Sequence, residues 1–441
     1  MTSRNNHKNV IEITDSQLVN LSRQLGDGDW YVDQRKKARK IFNGIDFPTI
    51  EDEAWRRTDI ERIDWNSFLS GYADNNNIKD IKLDVPNHLL NPLVDDDHGG
   101  QIVVSGGNVV GSNVSADIEE QGVIFCDFVT ATNKHSDLLN KYLSKLVDVD
   151  SGKHAAMAAT FVDQGVFLYV PAGVSVSTPL HSVFWLTQSA HFSRVVVVVE
   201  DGASLTYAHE LASDSQEEHL HSGTVEVYVG DNSEFKFVEL QSLSSKCYHF
   251  SHERCQVGRN GQFDWVFSAI GSKLTKSFLD LDLLGDGAWG RMSGFYFAAE
   301  DQHMDHDTQQ NHYGEGQTSD LLFKGALKDD SRSVWQGMIN VEPGAQKTDG
   351  FQANRNLLLS KEARADSIPG LEIQADDVRC THAATISRLE DEHLFYLMSR
   401  GIHFDEAKKV VVDGFFDPIM QRVPFEGVRN RLKQAVVDKM M

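Results

Sequence analysis

Two side chains in the C-terminal part of the chain, Cys380 and His382, form the pair with the clearest chemical potential. If residues 378–382 form a strand, these side chains lie two positions apart and project from the same face. A thiolate beside an imidazole offers ligands that suit iron. The spacing leaves a structural alternative open, in which the cysteine packs as a small apolar residue and the histidine is hydrogen-bonded.

A second group of possible metal ligands comprises His303, Asp305, His306 and His312. Imidazole and carboxylate groups bind several divalent ions. In a helix, His303 and His306 would share a face. In a strand, His303 and Asp305 would share one face, and His306 would lie on the other. The alternative, favoured by the spacing, is that these polar side chains form hydrogen bonds in turns between repeated strands.

The cysteine content argues against a metal cluster held by this chain alone. The four cysteines are Cys126, Cys247, Cys255 and Cys380, and no two of them form a Cys-x-x-Cys pair. A stably held iron–sulfur cluster needs about four thiolates, often closely spaced. Any cluster would therefore be transient or shared with another chain. So few cysteines in 441 residues also indicate a reducing compartment.

Composition and missing motifs exclude several functional classes. The net charge of −23 repels phosphate backbones, so we expect no nucleic-acid partner. No apolar run approaches the roughly 18 residues of a membrane helix, and the N-terminal residues lack the apolar stretch of a secretory signal. We therefore expect a cytoplasmic protein without a membrane partner. The sequence contains no P-loop, nucleophile-elbow, zinc-protease or dinucleotide-binding motif, so we expect no ATP site of its own and no catalysis.

The pattern of apolar and polar residues, which predicts the elements that position these side chains, changes after Gly100. Short alternating apolar runs follow, interrupted by Gly, Asn and Asp, with one helical stretch near 137–147. Glycines recur at intervals of 26 to 31 residues, at Gly173, Gly202, Gly230, Gly261, Gly287, Gly314, Gly344 and Gly370. A period near 28 predicts stacked coils, a β-solenoid, because one coil cannot cover its own apolar face. A β-sandwich with regular turns is the alternative.

The N-terminal region has helical periodicity. Asp15 is placed to cap a helix over 16–25, and a second helix is expected over 30–42. A polar stretch over 72–100, rich in Asn and Asp, is expected to be a linker. We assign residues 1–100 to an N-terminal helical region with this linker.

The C-terminal region is also expected to be helical, after a β core over 101–386. Apolar residues at helical spacing predict a helix ending at Gly401, a second from Asp405 to Phe416 with Pro418 after it, and a third over 425–440. We assign 387–441 to a C-terminal helical domain. It could dock a partner, or it could cap the end of the solenoid.

The segment over 356–415 closely resembles the SufB/SufD family of iron–sulfur cluster assembly proteins. It contains the pattern P-x-LEI-x-ADDV-x-C-x-H-x-AT from Pro369 to Thr385, followed by LFYL-x-SRGI. Further stretches that resemble the family lie at 165–175, 302–312 and 344–360. The resemblance covers about the last two-thirds of the chain.

Three features favour the SufD branch of this family. The segment FPTIEDEAWRRT, residues 47–58, is similar to a P…DE-x-W-(R/K)-x-T segment near the N-terminus of SufD proteins. SufB proteins are richer in cysteine. After the motif histidine, SufB proteins usually carry Glu and SufD proteins Gly, and Ala383 is closer to the small residue. A SufB-like chain remains the rival within the family.

The resemblance implies a fold and a set of partners. The family has a right-handed parallel β-helix flanked by N- and C-terminal helical regions, in agreement with the period found above. It forms a SufB–SufD heterodimer in which each subunit binds the ATPase SufC through its C-terminal region. The resemblance thus predicts docking of SufC on the C-terminal helices of this chain.

The resemblance also implies a site. Nascent clusters form at the SufB–SufD interface, where the SufD histidine of the C-x-H motif faces a SufB cysteine. In this chain that histidine is His382, with Cys380 beside it as a ligand or a packing residue. We therefore expect a transient iron–sulfur cluster shared with SufB. The rival from another class is a solitary β-helix metalloenzyme that uses the His303–His312 group.

Overall fold

The computed structural model describes residues 13–74, 85–91 and 98–440, and for residues 70–74 it describes the backbone alone. Most of the fold is a stack of parallel strands, with helices along its two outer faces. The predicted polar linker over 72–100 lies largely outside the described residues, including its Asn run at 75–77 and its Asp run at 95–97.

The N-terminal helices are α1 (Asp15–Leu25), α2 (Asp29–Gly44), a 3-10 turn (Glu53–Trp55), α3 (Trp65–Asp74) and α4 (Asn87–Leu90). The cap of α1 is Thr14 rather than the predicted Asp15. Thr14 and Gln17 form a reciprocal capping box, because the hydroxyl accepts from the Gln17 backbone and the Gln17 amide accepts from the Thr14 backbone. Asp15 lies in the first turn, where its charge favours the helix dipole.

A mixed segment precedes the regular stack. Its elements are β1 (Gly100–Ser105), β2 (Asn108–Val114), α5 (Ala116–Glu120), β3 (Ile124–Asp127), α6 (Phe128–Lys134), α7 (Ser136–Tyr142) and α8 (Lys153–Phe161). The helix predicted near 137–147 is thus shorter than expected. It ends at Tyr142, and α8 was missed because its run of alanines carries no polar face.

The regular stack contains β4 (Gln164–Val170), β5 (Leu180–Trp185), β6 (Ala190–Val199), β7 (Ser204–Ala212), β8 (His219–Val229), β9 (Glu234–Ser242), β10 (Cys247–Val257), β11 (Gln262–Ala269), β12 (Leu274–Leu283), β13 (Trp289–Ala298), β14 (His303–His312), β15 (Thr318–Leu327), β16 (Arg332–Val341), β17 (Asp349–Leu358), β18 (Arg364–Ile373) and β19 (Arg379–Arg388). Even-numbered strands from β4 onward form one sheet and odd-numbered strands from β5 onward form the other. The chain therefore winds through about eight turns of a β-solenoid, and this prediction is confirmed.

The register shows the predicted period directly. One column of directly paired residues runs Gly223, Ser251, Ser277, His306, Trp335 and Ser367, so a turn takes 26 to 32 residues. Gly202 and Gly287 of the predicted series occupy corners with φ of +67° and +68°. Glycine adopts this left-handed conformation without strain. Other corners place Asn232, Asn260 or Asp329 in the left-handed region instead. Gly370 was predicted to be a break but lies inside β18.

The space between the two sheets, the lumen of the solenoid, holds the main apolar core. Phe237, Trp265 and Leu281 are among its fully buried residues. The outer face of the even-numbered sheet packs against the N-terminal helices, for example Phe250 against Trp55 and Trp65. Inward and outward positions thus alternate along each strand.

The C-terminal helices are α9 (Asp391–Ser399), α10 (Phe404–Met420) and α11 (Glu426–Met440). α10 and α11 pack along the outer face of the odd-numbered sheet, where Phe416 contacts Phe295 with ring centroids 4.3 Å apart. Pro418 lies inside α10, not after it as predicted. It falls in the last turn of the helix, where a proline costs one backbone hydrogen bond without interrupting a longer helix. No helix among the described residues is long and apolar enough to cross a membrane.

The two ends of the solenoid differ. At the N-terminal end, the outermost strands are β2 and β3, and each pairs antiparallel with its neighbour. At the C-terminal end, β18 and β19 are the last strands of their sheets, and no strand in the described part of the chain pairs with their outer edges. We call the end formed by β18 and β19 the open end.

Candidate functional site

Cys380 and His382 lie on β19, at the open end of the solenoid. Cys380 pairs with Gly350 of β17, and His382 pairs with Gln352. Gly350 and Gln352 are buried inward-facing residues, so the two side chains of β19 share the lumen face of the last turn. The strand predicted over 378–382 and the shared face are both present.

Cys380 has a partly structural environment. Its half-buried side chain packs beside the cluster of Ile339, Val341 and Leu371. A Cβ on Gly350 would lie 3.2 Å from the Cys380 Sγ, so glycine leaves the room that the sulfur uses. Burial raises the pKa of the Cys380 thiol. The thiol is therefore protonated near neutral pH unless a metal ion displaces its proton.

His382 is exposed, although it faces the lumen, because no further turn covers β19. Its imidazole can thus be reached from outside along the axis of the solenoid. An exposed neutral imidazole is a competent ligand for iron. The last turn therefore presents one accessible imidazole and, beside it, one half-buried thiol.

Two ligands are too few to hold a cluster on this chain. Within the described residues, no group of three or more His, Cys, Asp or Glu side chains is arranged to hold a metal ion. An iron–sulfur cluster generally takes about four protein ligands. The geometry suits a cluster that arrives as cargo and is completed by ligands from another chain.

A layer of buried amides lies directly beneath this surface, and sequence reasoning missed it. Gln352, Asn354 and Asn356 face the lumen from β17, each with at most 1 % of its surface exposed. Asn354 and Asn356 form side-chain hydrogen bonds with Tyr296, and Asn354 also accepts one from Ser367. The signal was present as three amides at two-residue steps in a strand, a polar stripe where an apolar one is expected.

The second group of predicted ligands does not come together at one point. On β14, His303 and Asp305 face outward and contact Thr58, with 2.8 Å between the Thr58 hydroxyl and His303 Nε2. His306 faces the lumen and stacks on Tyr296, and His312 bonds Ser319 there. The four residues therefore lie in a strand. Its alternating faces place His303 and Asp305 outside the solenoid and His306 and His312 in the lumen.

The outward set belongs to a buried ion-pair cluster. The Lys276 ammonium lies 3.0 Å from Asp305 and 2.8 Å from Asp307, and it donates to the Ala54 carbonyl at 2.7 Å. Burial lowers the pKa of His303 to about 4, so this imidazole is neutral. Since Ala54 and Thr58 belong to the N-terminal region, the cluster fastens that region to the solenoid wall.

A separate exposed surface lies on the C-terminal helices. Its large apolar side chains are 41 to 73 % exposed: Phe395, Tyr396, Met398, Phe404 and Val410. Cations stand over two of the rings, Arg400 over Tyr396 and Lys408 over Phe404. Clusters of exposed aromatic residues with neighbouring cations are typical of protein-binding surfaces. We call these five residues the α9–α10 patch.

Comparison with known proteins gives a consistent result. The family described as "SUF system FeS cluster assembly, SufBD core domain" matches residues 184–415, and the one described as "SufBD protein N-terminal region" matches 21–181. The "Iron-sulfur cluster assembly protein SufD" of Bacillus subtilis is 35% identical over 332 residues, covering 74% of this chain and 76% of that protein. An "Iron-sulfur cluster assembly SufBD family protein" of Staphylococcus epidermidis is 27% identical over 428 residues, covering 94% and 90%.

Proposed function

The chain belongs to the SufBD family of the SUF iron–sulfur cluster assembly system, and on that premise we propose that it is a SufD-like scaffold subunit. In this proposal it pairs with SufB and carries the ATPase SufC in the cytoplasm. The observation that supports it most is the open end, where β18 and β19 each have an outer edge without a partner in the described part of the chain and His382 is accessible.

Pairing with SufB would use the open end. β18 and β19 are ten residues each. A strand of that length with a free outer edge can form backbone hydrogen bonds with a strand of another chain. Two of their apolar side chains, Ile373 and Ile386, are 41% and 46% exposed. A second solenoid end would satisfy the free backbone groups and cover these side chains at once.

The proposed role of His382 is to share the nascent cluster with SufB. A neutral imidazole from this chain would bind iron, while SufB would supply thiolate. Cys380 lies beside His382 on the same face and would bind or pack. Iron and sulfide are cargo in this scheme, and a cluster held by few, divided ligands is easily released.

SufC would dock on the C-terminal helices through the α9–α10 patch. The helix that follows, α11, is anchored on the odd-numbered sheet by apolar contacts of Val428, Leu432 and Val436. Movement of the docked ATPase would therefore be transmitted to the solenoid wall, and so to the open end. ATP hydrolysis is the partner's activity in this proposal, and this chain has no catalytic role.

The test combines co-purification with one substitution. The chain is co-expressed with SufB and SufC from the same genome, and cluster assembly by the complex is followed by visible absorbance. His382→Ala is expected to leave the complex assembled and to slow cluster formation about 10- to 100-fold, the usual scale for disturbing a metal site.

Thr381→Ala is the matched control, because Thr381 is exposed on the same strand but faces outward. It should assemble clusters at the native rate. Native cluster formation by the His382→Ala complex would refute the ligand role. Failure to capture SufB, or pairing with a SufD-like chain instead, would refute the SufD assignment.

A further inference from the structure

The last turn of the solenoid contains two side-chain hydrogen bonds that cross the lumen. The Gln352 Nε2 donates to the Gly370 carbonyl at 2.8 Å, and the Ser367 hydroxyl donates to the Asn354 Oδ1 at 2.5 Å. Gln352 and Asn354 lie on β17, in one sheet, whereas Ser367 and Gly370 lie on β18, in the other. Both bonds therefore connect the two sheets at the open end.

Asn354 is itself held from the preceding turns. Its Nδ2 donates to the Tyr296 hydroxyl at 3.3 Å, and its Oδ1 also accepts from the Asn356 Nδ2 at 2.6 Å. The Tyr296 hydroxyl in turn donates to the Asn356 Oδ1 at 2.5 Å. Tyr296 and Asn354 are completely buried. Buried polar groups that satisfy one another in this way fix a single arrangement of side chains.

Apolar side chains pack at one corner of the last turn, around Ile339 and Leu371, but they do not fill its centre. In the middle of the solenoid, large inward-facing residues such as Phe237, Trp265 and Leu281 fill the lumen. At the open end, the central inward-facing residues are Ser367, Pro369, His382 and Ala384, and each is half-buried or exposed. The two cross-lumen hydrogen bonds therefore supply a connection that apolar contacts supply elsewhere.

We propose that Gln352 and Asn354 are positioning residues that hold β18 and β19 at the separation a partner solenoid requires. The proposal rests on the proposed function, since it concerns pairing at the open end. A partner must pair with both edge strands together, and backbone hydrogen bonds weaken steeply outside a narrow range of distance and angle. Neither residue needs to touch the partner or the cluster.

The test measures affinity for SufB and hydrogen exchange in the free chain. Gln352→Leu removes the bond to Gly370 together with a longer one, 3.4 Å, to the Gly337 carbonyl of β16, and Ser367→Ala removes the bond to Asn354. Both variants keep most of the side-chain volume. Each is expected to weaken SufB binding about 3- to 10-fold, the effect of one hydrogen bond. In both variants, the β18 and β19 amides should exchange faster than in the parent chain.

Gln241→Leu is the matched control. Gln241 also bonds across the lumen, from β9 to the Thr275 hydroxyl of β12 at 3.1 Å, and several turns separate it from the open end. It should leave SufB affinity and exchange at the open end unchanged. Ser367→Thr retains the hydroxyl and should restore both properties.

The outcomes separate this inference from the proposed function. Unchanged affinity in both Gln352→Leu and Ser367→Ala would overturn the inference, as would an equal loss in Gln241→Leu. If the parent chain does not bind SufB, the proposed function fails, and unchanged exchange of β18 and β19 would then overturn the positioning role as well. His382→Ala should show the opposite pattern, with native affinity and slow cluster assembly.

Discussion

The ion pair between Arg431 and Glu210 is expected to be the main polar anchor of α11 on the solenoid. The Arg431 Nη1 lies 2.6 Å from each carboxylate oxygen of Glu210, on β7. The Glu210 side chain is 4% exposed and that of Arg431 is 23% exposed. Arg431 also donates to the carbonyls of His88 and Asn91, so one guanidinium joins three parts of the chain.

Removing the Arg431 charge leaves a buried carboxylate with His181 as its remaining partner, at 3.2 Å. Breaking a buried ion pair from one side generally costs about 3–5 kcal/mol. The hydrogen bond with His181 offsets part of this loss, and Arg431 is partly exposed. For Arg431→Met we therefore expect a loss of about 2–3 kcal/mol in the free energy of unfolding.

The sign of the pH dependence follows from Glu210. Burial alone would raise the pKa of Glu210, but the His181 hydrogen bond and the Arg431 charge hold it below its ordinary value. A lowered carboxyl pKa stabilises the fold above the pKa of the unfolded chain, and this stabilisation is lost as the pH falls through the folded pKa. Arg431→Met should therefore cost more at pH 7 than at pH 4.

The assay is a double-mutant cycle in urea with Arg431→Met, Glu210→Gln and the double variant. A coupling of about 1–3 kcal/mol is expected at pH 7, together with faster hydrogen exchange over 426–440. Arg429→Met is the control, because Arg429 makes a local bond to the Val423 carbonyl at 2.7 Å. Additive effects of the two single substitutions, or equal losses in the control, would refute the anchor.

Two further predictions concern the lumen. At Gly325 a Cβ would lie 1.9 Å from Tyr296 Cε2, so Gly325→Ala should lower the free energy of unfolding by about 3 kcal/mol. At Gly344 the nearest neighbour of a Cβ would be 3.8 Å away, so Gly344→Ala should change that free energy by less than about 0.5 kcal/mol. Both are measured by thermal denaturation, and equal effects would contradict the packing argument. Burial raises the pKa of both Glu239 and Glu253, which face each other in the lumen, so the folded chain retains a proton that the unfolded chain releases above about pH 4.3. The free energy of unfolding should therefore fall as the pH rises from about 5 to 8. In urea titrations, Glu253→Gln should make this free energy depend less on pH. An unchanged pH profile would show that folding does not alter the protonation of the pair.

The repeated architecture could be predicted from the sequence because it is local and periodic. Corner glycines such as Gly202 and Gly287 mark several of the turns, and alternation marks the strands between them. For the segment from His303 to His312, the sequence left helix and strand open and favoured turns; the structure has a strand, in which His303 and Asp305 share one face as expected for that alternative. Cys380 and His382 followed in the same way from their two-residue spacing.

The remaining features depend on contacts between distant residues. Thr58 meets Asp305 across 247 positions, and Arg431 meets Glu210 across 221. Periodicity carries no information on which helix covers which sheet. The cross-lumen bonds of Gln352 and Asn354 were equally hidden, because they join residues that only the winding of the chain brings together. The error at Pro418 had another cause, since proline near a helix end costs a single hydrogen bond.

The asymmetry between the two ends sets a limit on assembly. Identical open ends on both sides of a solenoid would let subunits add without limit and grow into fibres. In this chain the short antiparallel strands β2 and β3 occupy one terminus, and their direction does not continue the parallel ladder. A partner that pairs with the open end in the proposed way would therefore find no equivalent parallel edge at the other end, which limits stacking along the axis.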